Sequence, residues 1–428
     1  MNLPFRVATL QKIDRWLGSP LAFVLTLFRK VCGRSPAQRK IRNILFVKLA
    51  EQGSTVLAYP AICKAIIQVG RENVYFVVFK ENRFILDLMG VIPEGNVIAI
   101  STANPFAMVA DAMRAILRTR KIGMDAAIDL EFFARSSAIL TYLSGAKTRV
   151  GFHAFFGESA YRGNLMTHRL IFNPHLHASQ MFEVMVAALH CDPATLPTFD
   201  FKPPADQPSP VFEPQPRELE EVDHLLRDEN PRIASGRLAL LNSNASDLLP
   251  LRRWAPKNYV ELARRLLEQY SDVFVGLTGA PEEAEATARL AQEIGSDRCV
   301  SLAGKVTLRQ LFVLYCRSEL LVTNDSGPAH FASMTPIHVI TLFGPETPAL
   351  FAARTPRNTA IWAGIACSPC VSAQNNRQSP CRRNVCMERI TVEEVFKAAA
   401  HALDSRRCQS GMTETPAPEQ QRRTPDYV

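Results

Sequence analysis

Thr323-Asn324-Asp325-Ser326-Gly327-Pro328-Ala329-His330 gathers a carboxylate, a hydroxyl, a glycine turn and an imidazole in one short segment. An apolar run, Leu320-Leu321-Val322, precedes it, and Phe331-Ala332-Ser333-Met334 reads as a helix after it. A second apolar run, His338 to Phe343, then ends in Gly344-Pro345. Strand, glycine turn, short helix and strand make a βαβ unit. The turn therefore lies at the C-terminal edge of a parallel sheet, where open α/β sheets bind ligands. Backbone N–H groups at such a helix start suit a phosphate. Asp325 and His330 are candidate site side chains, with Ser326 and Gly327 offering N–H donors. The plainer alternative is an Asp and a Ser capping a helix beside a packed histidine.

Other segments supply complementary chemistry. A phosphate-bearing ligand is met by N–H donors and positive charge. Thr278-Gly279, after the apolar run Val273 to Leu277, offers donors. Arg252 and Arg253, between Pro250 and Trp254, offer charge, and the sequence does not choose between them. Ser243, Asn244 and Ser246 follow another strand, Leu238 to Asn242, and can serve as hydroxyl and amide contacts. Glu51 opens the turn Glu51-Gln52-Gly53-Ser54. A carboxylate there is a general base only within hydrogen-bond reach of the reacting hydroxyl; otherwise it is a solvated loop acid. Asp129 and Glu131 end a further strand at the same edge, as second candidates or as helix-start acids.

Cys367, Cys370, Cys381 and Cys386 give C-x2-C-x10-C-x4-C, spaced like a structural zinc site or like a loop steadied by buried thiols. Either reading is structural. His153, His168, His175 and His177 are too irregular for a metal set, so no metal is expected from them. Arg149, Arg162 and Arg169 in that region can meet anionic groups of a ligand.

These residues need a scaffold. Strand-like runs at 42–48, 74–79, 96–100 and 126–130 alternate with helical spacing at 55–68, through Asp87 and at 105–120, which implies a parallel sheet wrapped by helices. Six prolines between Pro203 and Pro216 exclude a helix or central strand there. A helix from Arg217 to Asp228 follows, and the βα alternation then resumes. The expected organisation is a helical extension over 1–41 and a first Rossmann-like domain over 42–202. A Pro-rich linker and helix cover 203–235, and a second Rossmann-like domain covers 236–390. A last helix spans 391–404, and a disordered tail runs over 405–428.

At 428 residues with 47% hydrophobic content, two globular domains are the natural prior. Lys and Arg number 49 against 41 acids, for a net charge of +8. Residues 29–42 hold six basic groups and no acid, beside the apolar run Leu21 to Phe28. That run is too short to span a bilayer, and no small-residue cleavage pattern follows it. An amphipathic extension resting on an anionic membrane surface fits, as does a solvated helix end. Nucleic acid is not expected, because no reading motif accompanies the charge. A Rossmann dehydrogenase is disfavoured too, since no strand is followed by G-x-G-x-x-G.

With these residues in view, the chain resembles glycosyltransferase family 9, the ADP-heptose:lipopolysaccharide heptosyltransferases. The likeness rests on Asp325-Ser326-Gly327-Pro328-Ala329-His330, on Phe343-Gly344-Pro345-Glu346-Thr347-Pro348 where the family has F-G-P-T, and on Val47-Lys48-Leu49 with Gly53 and Tyr59-Pro60-Ala61. Ile128-Asp129-Leu130 with Arg135-Ser136-Ser137, Gly145 to Phe152, Arg252-Arg253-Trp254 and Leu302-Ala303-Gly304-Lys305 follow in family order. The resemblance covers about residues 42–400. It implies a GT-B fold: two Rossmann-like domains facing a cleft, acceptor on the first and nucleotide-sugar on the second. It implies inverting, metal-independent transfer without a cofactor, most readily of heptose from ADP-heptose to a lipopolysaccharide core, on the cytoplasmic face of the inner membrane. The family's base is an Asp after the turn glycine; here Ser54 follows Gly53, and Glu51 is the substitute expected. Family members more often carry Gln at position 131. These departures leave open another donor or acceptor on the same scaffold, or a relative that binds without transferring.

Overall fold

The computed structural model describes residues 7–32, 40–245, 249–375 and 377–411. Ser246, Arg34, Arg39 and the segment 412–428 lie outside the described residues.

Among the described residues, two sheets of six strands organise the chain. The first comprises β1 (Ile44–Val47), β2 (Val74–Phe79), β3 (Val97–Ile100), β4 (Ala126–Asp129), β5 (Thr148–Phe152) and β6 (His168–Leu170). Its order is β3-β2-β1-β4-β5-β6. The second comprises β7 (Arg237–Asn242), β8 (Val273–Leu277), β9 (Cys299–Ser301), β10 (Leu320–Asn324), β11 (His338–Phe343) and β12 (Asn358–Trp362). Its order is β12-β11-β10-β7-β8-β9. Every neighbouring pair is parallel. The two orders are the same doubly wound arrangement, with the chain reversing direction between β1 and β4 and between β7 and β10. Those two switch points are where such sheets bind ligands.

The central strands are apolar throughout because helices cover both faces. Ile44, Leu45, Phe46 and Val47 are all buried, as are Leu320, Leu321 and Val322. The helix Gln52–Leu57 after β1 packs against the helix Gly327–Ala332 after β10, so the two switch points face each other. Contact there is close enough that a Cβ on Gly53 would sit 2.5 Å from His330 Cδ2.

Several expectations are corrected. The turn read at 51–54 is already helical from Gln52, and a second helix, Tyr59–Val69, follows it. β5, β6 and β12 are strands that the pattern did not announce. The last helix runs from Val392 to Gly411, past the expected end at 404. The Pro-rich stretch is packed: Phe212 N–H donates to the Met334 carbonyl (2.7 Å), and Phe212 sits against Phe312 at 5.4 Å between ring centroids.

The extension forms the helices Val7–Trp16 and Gly18–Cys32. Asp14 caps the helix Arg135–Leu143 by accepting from the Arg135 and Ser136 N–H groups (3.0 and 2.7 Å). Asn164 N–H donates to Thr26 Oγ1 (2.9 Å), and Arg29 donates to Asn164.

Candidate active site

At the β1 end, Lys48 is fully buried, and a buried ammonium needs a carboxylate. Its Nζ lies 3.0 Å from Glu131 Oε2 and 3.8 Å from Glu51 Oε2. The other Glu131 oxygen accepts from the Leu49 and Ala50 N–H groups at 2.8 and 2.9 Å. Both Glu131 oxygens are therefore engaged in holding the turn. This clamp helps fix Glu51 in a left-handed conformation, φ 69°, that costs a non-glycine residue about 1 kcal/mol or more. Asp129 is buried, paired with Arg162, and accepts from Ser137 Oγ (3.1 Å). Burial raises its pKa to about 6 in spite of that arginine.

Glu51 points across the cleft. Its two oxygens are gripped by the two terminal nitrogens of Arg377, one at 3.0 Å. Arg377 belongs to the loop between Cys370 and Cys381. Burial works against the charged carboxylate, but Arg377, Lys48, Arg252 and the Ser54 hydroxyl together lower Glu51 to about 2. Its side chain keeps 32% exposure on the cleft side of this pair.

From the other half, Arg252 Nε lies 3.5 Å from Asp325 Oδ2, and Arg252 Nη1 donates to the Asp325 carbonyl (3.1 Å). Arg252 Nη2 is 3.8 Å from Glu346 Oε1. Burial raises the Asp325 carboxyl pKa against the pull of Arg252 and Arg377. His330 is pushed down to about 4, chiefly by burial and then by Arg252, so its imidazole is neutral near pH 7. Asp325 Oδ2, His330 Nδ1 and both Glu346 oxygens make no hydrogen bond among the described residues. Buried polar atoms without partners are costly, and here they converge on one cleft.

The remaining candidates stand around this centre. Arg253 donates to the Ala245 carbonyl (2.8 Å), so of the two arginines Arg252 is the one beside Asp325. Asn324 Nδ2 donates to the Ser243 carbonyl (3.0 Å), and its Oδ1 accepts from Trp254 N–H (3.0 Å). Ser243 is thus fixed through its backbone. Thr278 Oγ1 accepts from Asn242 Nδ2 (3.2 Å). Gly279 lies against Asn244, whose Nδ2 has no hydrogen-bond partner among the described residues and would be 2.8 Å from a Cβ on Gly279. Ser326 Oγ donates to the Asn324 carbonyl (3.1 Å), and Gly327 opens the following helix. The sequence reading missed Lys48, Glu346 and Arg377 as site residues. The first two were legible as ionisable residues at the ends of buried strands. Arg377 had no local signal.

Residues 113–379 match the family model described as glycosyltransferase family 9 (heptosyltransferase). The chain belongs to glycosyltransferase family 9. Lipopolysaccharide heptosyltransferase 2 of Salmonella typhimurium is 29% identical over 146 residues, 33% of this chain. That stretch spans 41% of the curated relative's length. The solved structure of Escherichia coli ADP-heptose lps heptosyltransferase II aligns with a TM-score of 0.65 at 17% identity, over 85% of this chain and 99% of that one. Escherichia coli heptosyltransferase WaaC with ADP aligns at 0.58 and 16% identity, over 84% and 99%. These likenesses establish the two-domain α/β fold of the family. The Ser54 hydroxyl, one position after Gly53, lies 3.0 Å from the Glu51 carbonyl and 3.2 Å from Glu51 Oε2.

Among the described residues no group of three or more His, Cys, Asp or Glu side chains is arranged to hold a metal ion. Cys367 is exposed and Cys386 buried. Ser379 Oγ donates to Cys370 Sγ (3.2 Å), and the Cys370 and Val371 N–H groups donate to the Pro345 carbonyl at 3.0 and 3.1 Å. The cysteine-rich loop is thereby docked on the turn that carries Glu346.

Glu346 gives a testable cost of this site. Burial raises its carboxyl from an ordinary 4.5 to about 7, with Arg377 opposing and Asp325 adding to the rise. A carboxylate with a raised folded-state pKa favours folding below its ordinary pKa, and that advantage is lost as pH climbs through 7. The shift corresponds to roughly 3 kcal/mol. Glu346→Gln is therefore expected to raise the thermal midpoint by several degrees at pH 8. The gain should shrink towards nothing near pH 4, as measured by calorimetry.

Proposed function

We propose that this protein is an inverting, metal-independent glycosyltransferase that moves heptose from ADP-heptose onto a lipopolysaccharide core or related lipid-linked glycan. The observation that carries this reading is the convergence, at the two facing switch points, of one half-buried carboxylate with two arginines and several buried polar atoms that lack partners among the described residues. Glu51 takes the proton of the acceptor hydroxyl as that oxygen attacks the anomeric carbon. The bond to the diphosphate breaks, and Arg252 stabilises the negative charge that leaves with the nucleotide. Asp325 Oδ2 and Glu346 accept from donor hydroxyls. Neutral His330, with the N–H groups of Ser326 and Gly327, lies along the diphosphate. Thr278-Gly279 and Ser243 contact the nucleotide end. The heptosyltransferase 2 relative and the WaaC structure with ADP support heptose and an adenine nucleotide as first choices. Calorimetric titration tests the donor: ADP-heptose should bind more tightly than UDP-, GDP- or CMP-sugars. Preference for one of those would transfer the reading to another donor on this scaffold.

The acceptor is reached from the cytoplasmic face of the inner membrane. The helix Gly18–Cys32 is turned inside out for a soluble protein. Its protein-facing side holds Ala22, Thr26 and Arg29, while Leu21, Phe23, Val24, Leu27, Phe28 and Val31 face outward, with Phe28 60% exposed. An outward apolar face beside Arg15 and Lys30 suits an anionic bilayer surface. Among the described residues no helix is long and apolar enough to cross a membrane. Wild-type protein is expected to float with vesicles containing phosphatidylglycerol. Phe23→Asp with Phe28→Asp should stay in the soluble fraction while keeping its thermal midpoint. Flotation of that variant would remove the helix from the membrane contact.

A further inference from the structure

The cysteine-rich loop has no part in the family chemistry described above, yet it delivers Arg377 to the centre of the cleft. We propose that Arg377 is a positioning residue that exchanges partners: it holds Glu51 in the ligand-free protein and passes to the donor's diphosphate when nucleotide binds, freeing the carboxylate for the acceptor. The inference rests on the reading of Glu51 as base.

The geometry supports an exchange rather than a permanent pair. Arg377 comes from the second half of the chain and Glu51 from the first, so the pair bridges the cleft. The fork engages both carboxylate oxygens, and with the Ser54 hydroxyl on Oε2 and Lys48 at 3.8 Å it holds the charged form in place. A carboxylate so paired is a weak base, and proton abstraction needs it released. Arg377 has somewhere to go. Glu51, Glu346, Asp325 and Glu131 all act on its charge, and both Glu346 oxygens make no hydrogen bond among the described residues. Its guanidinium also lies 5.6 Å from the Phe351 ring, which can steady it in either position.

The loop is built to present this side chain. Arg377 has a left-handed φ of 54°, and its N–H donates to the Ser372 carbonyl (3.0 Å). Asn375 Nδ2 donates to the Cys370 carbonyl (2.9 Å). With the docking on Pro345, these bonds fix where the arginine starts. An incoming diphosphate carries more charge than one carboxylate and accepts the same bidentate fork.

Competition between Glu51 and the nucleotide for one guanidinium makes a distinctive prediction for ADP binding, measured by calorimetry at constant ionic strength. Arg377→Ala should weaken ADP about tenfold, and Arg377→Lys should recover part of the loss. Glu51→Gln should tighten ADP several-fold, because it removes the competing partner. In the Arg377→Ala background the same Glu51→Gln change should have little effect. Unchanged ADP affinity in both Arg377 variants would overturn the proposal. Equal tightening by Glu51→Gln with and without Arg377 would overturn it too, assigning that effect to direct charge repulsion. Absence of ADP binding in the wild type would instead sink the donor reading on which the proposal stands.

Discussion

Glu51→Gln is expected to lower turnover by about 10²- to 10⁴-fold, the ordinary contribution of a positioned general base, without weakening ADP binding. The amide keeps the size of the side chain and can still accept one bond from Arg377, so the cleft should stay assembled. What it loses is the ability to take a proton. The structure narrows the alternatives at this edge. Glu131 has both oxygens engaged by Lys48 and two backbone N–H groups. Asp129 is buried behind it, paired with Arg162. Ser54 leans on Glu51 rather than into a proton-transfer role of its own. Steady-state rates with saturating donor, alongside calorimetric ADP affinities, check the prediction. Turnover equal to that of the wild type would place the base elsewhere and leave Glu51 as a holder of Arg377.

Arg252→Ala is expected to weaken ADP by about 10- to 100-fold, the range of a charge-assisted contact to a phosphate. It is also expected to lower the thermal midpoint. Two buried carboxylates depend on this guanidinium: Asp325 at 3.5 Å and Glu346 at 3.8 Å. Removing the cation leaves both charges less compensated, and breaking buried pairs from one side is strongly destabilising. Arg252→Lys should rescue stability better than it rescues affinity, since an ammonium supplies charge but no fork. Arg253→Ala should cost less ADP affinity, because Arg253 grips the Ala245 carbonyl instead of the Asp325 turn. A larger affinity loss at 253 than at 252 would reverse the assignment of the phosphate-contacting arginine.

The two expectations draw on different layers of the chain. The doubly wound folds were legible because buried parallel strands are written as unbroken apolar runs, such as Ile44 to Val47 and Leu320 to Val322. The strands that escaped notice are those where polar residues interrupt the run. β5 contains a buried arginine, Arg149, which spends its guanidinium on the Leu165 and Ala146 carbonyls. β12 is an edge strand, and an edge needs only one apolar face. Glu51 and Asp325 were legible because strand ends place them at the ligand-binding edge whatever else the chain does. Arg377 was not, because its partner lies 326 residues away and nothing local distinguishes it from a loop arginine. The role of Glu131 also needed coordinates. Its position marked it as a cleft carboxylate, but only its bonds to the Leu49 and Ala50 N–H groups reveal a clamp that keeps Glu51 in its left-handed turn. The cysteine spacing suggested a metal or a thiol-steadied loop, whereas the observed bonds tie that loop to Pro345 and so to Glu346.

The central claim is that the cleft transfers a sugar from ADP-heptose. Its most direct test is release of ADP by the wild-type protein, measured with and without a lipopolysaccharide acceptor that lacks core heptose. The account predicts release that depends on both acceptor and donor, with the acceptor gaining the mass of one heptose. Saturable binding of ADP-heptose with no acceptor-dependent release, across heptose-free and heptose-bearing acceptors alike, would contradict it and mark the protein as a member of the family that binds without transferring.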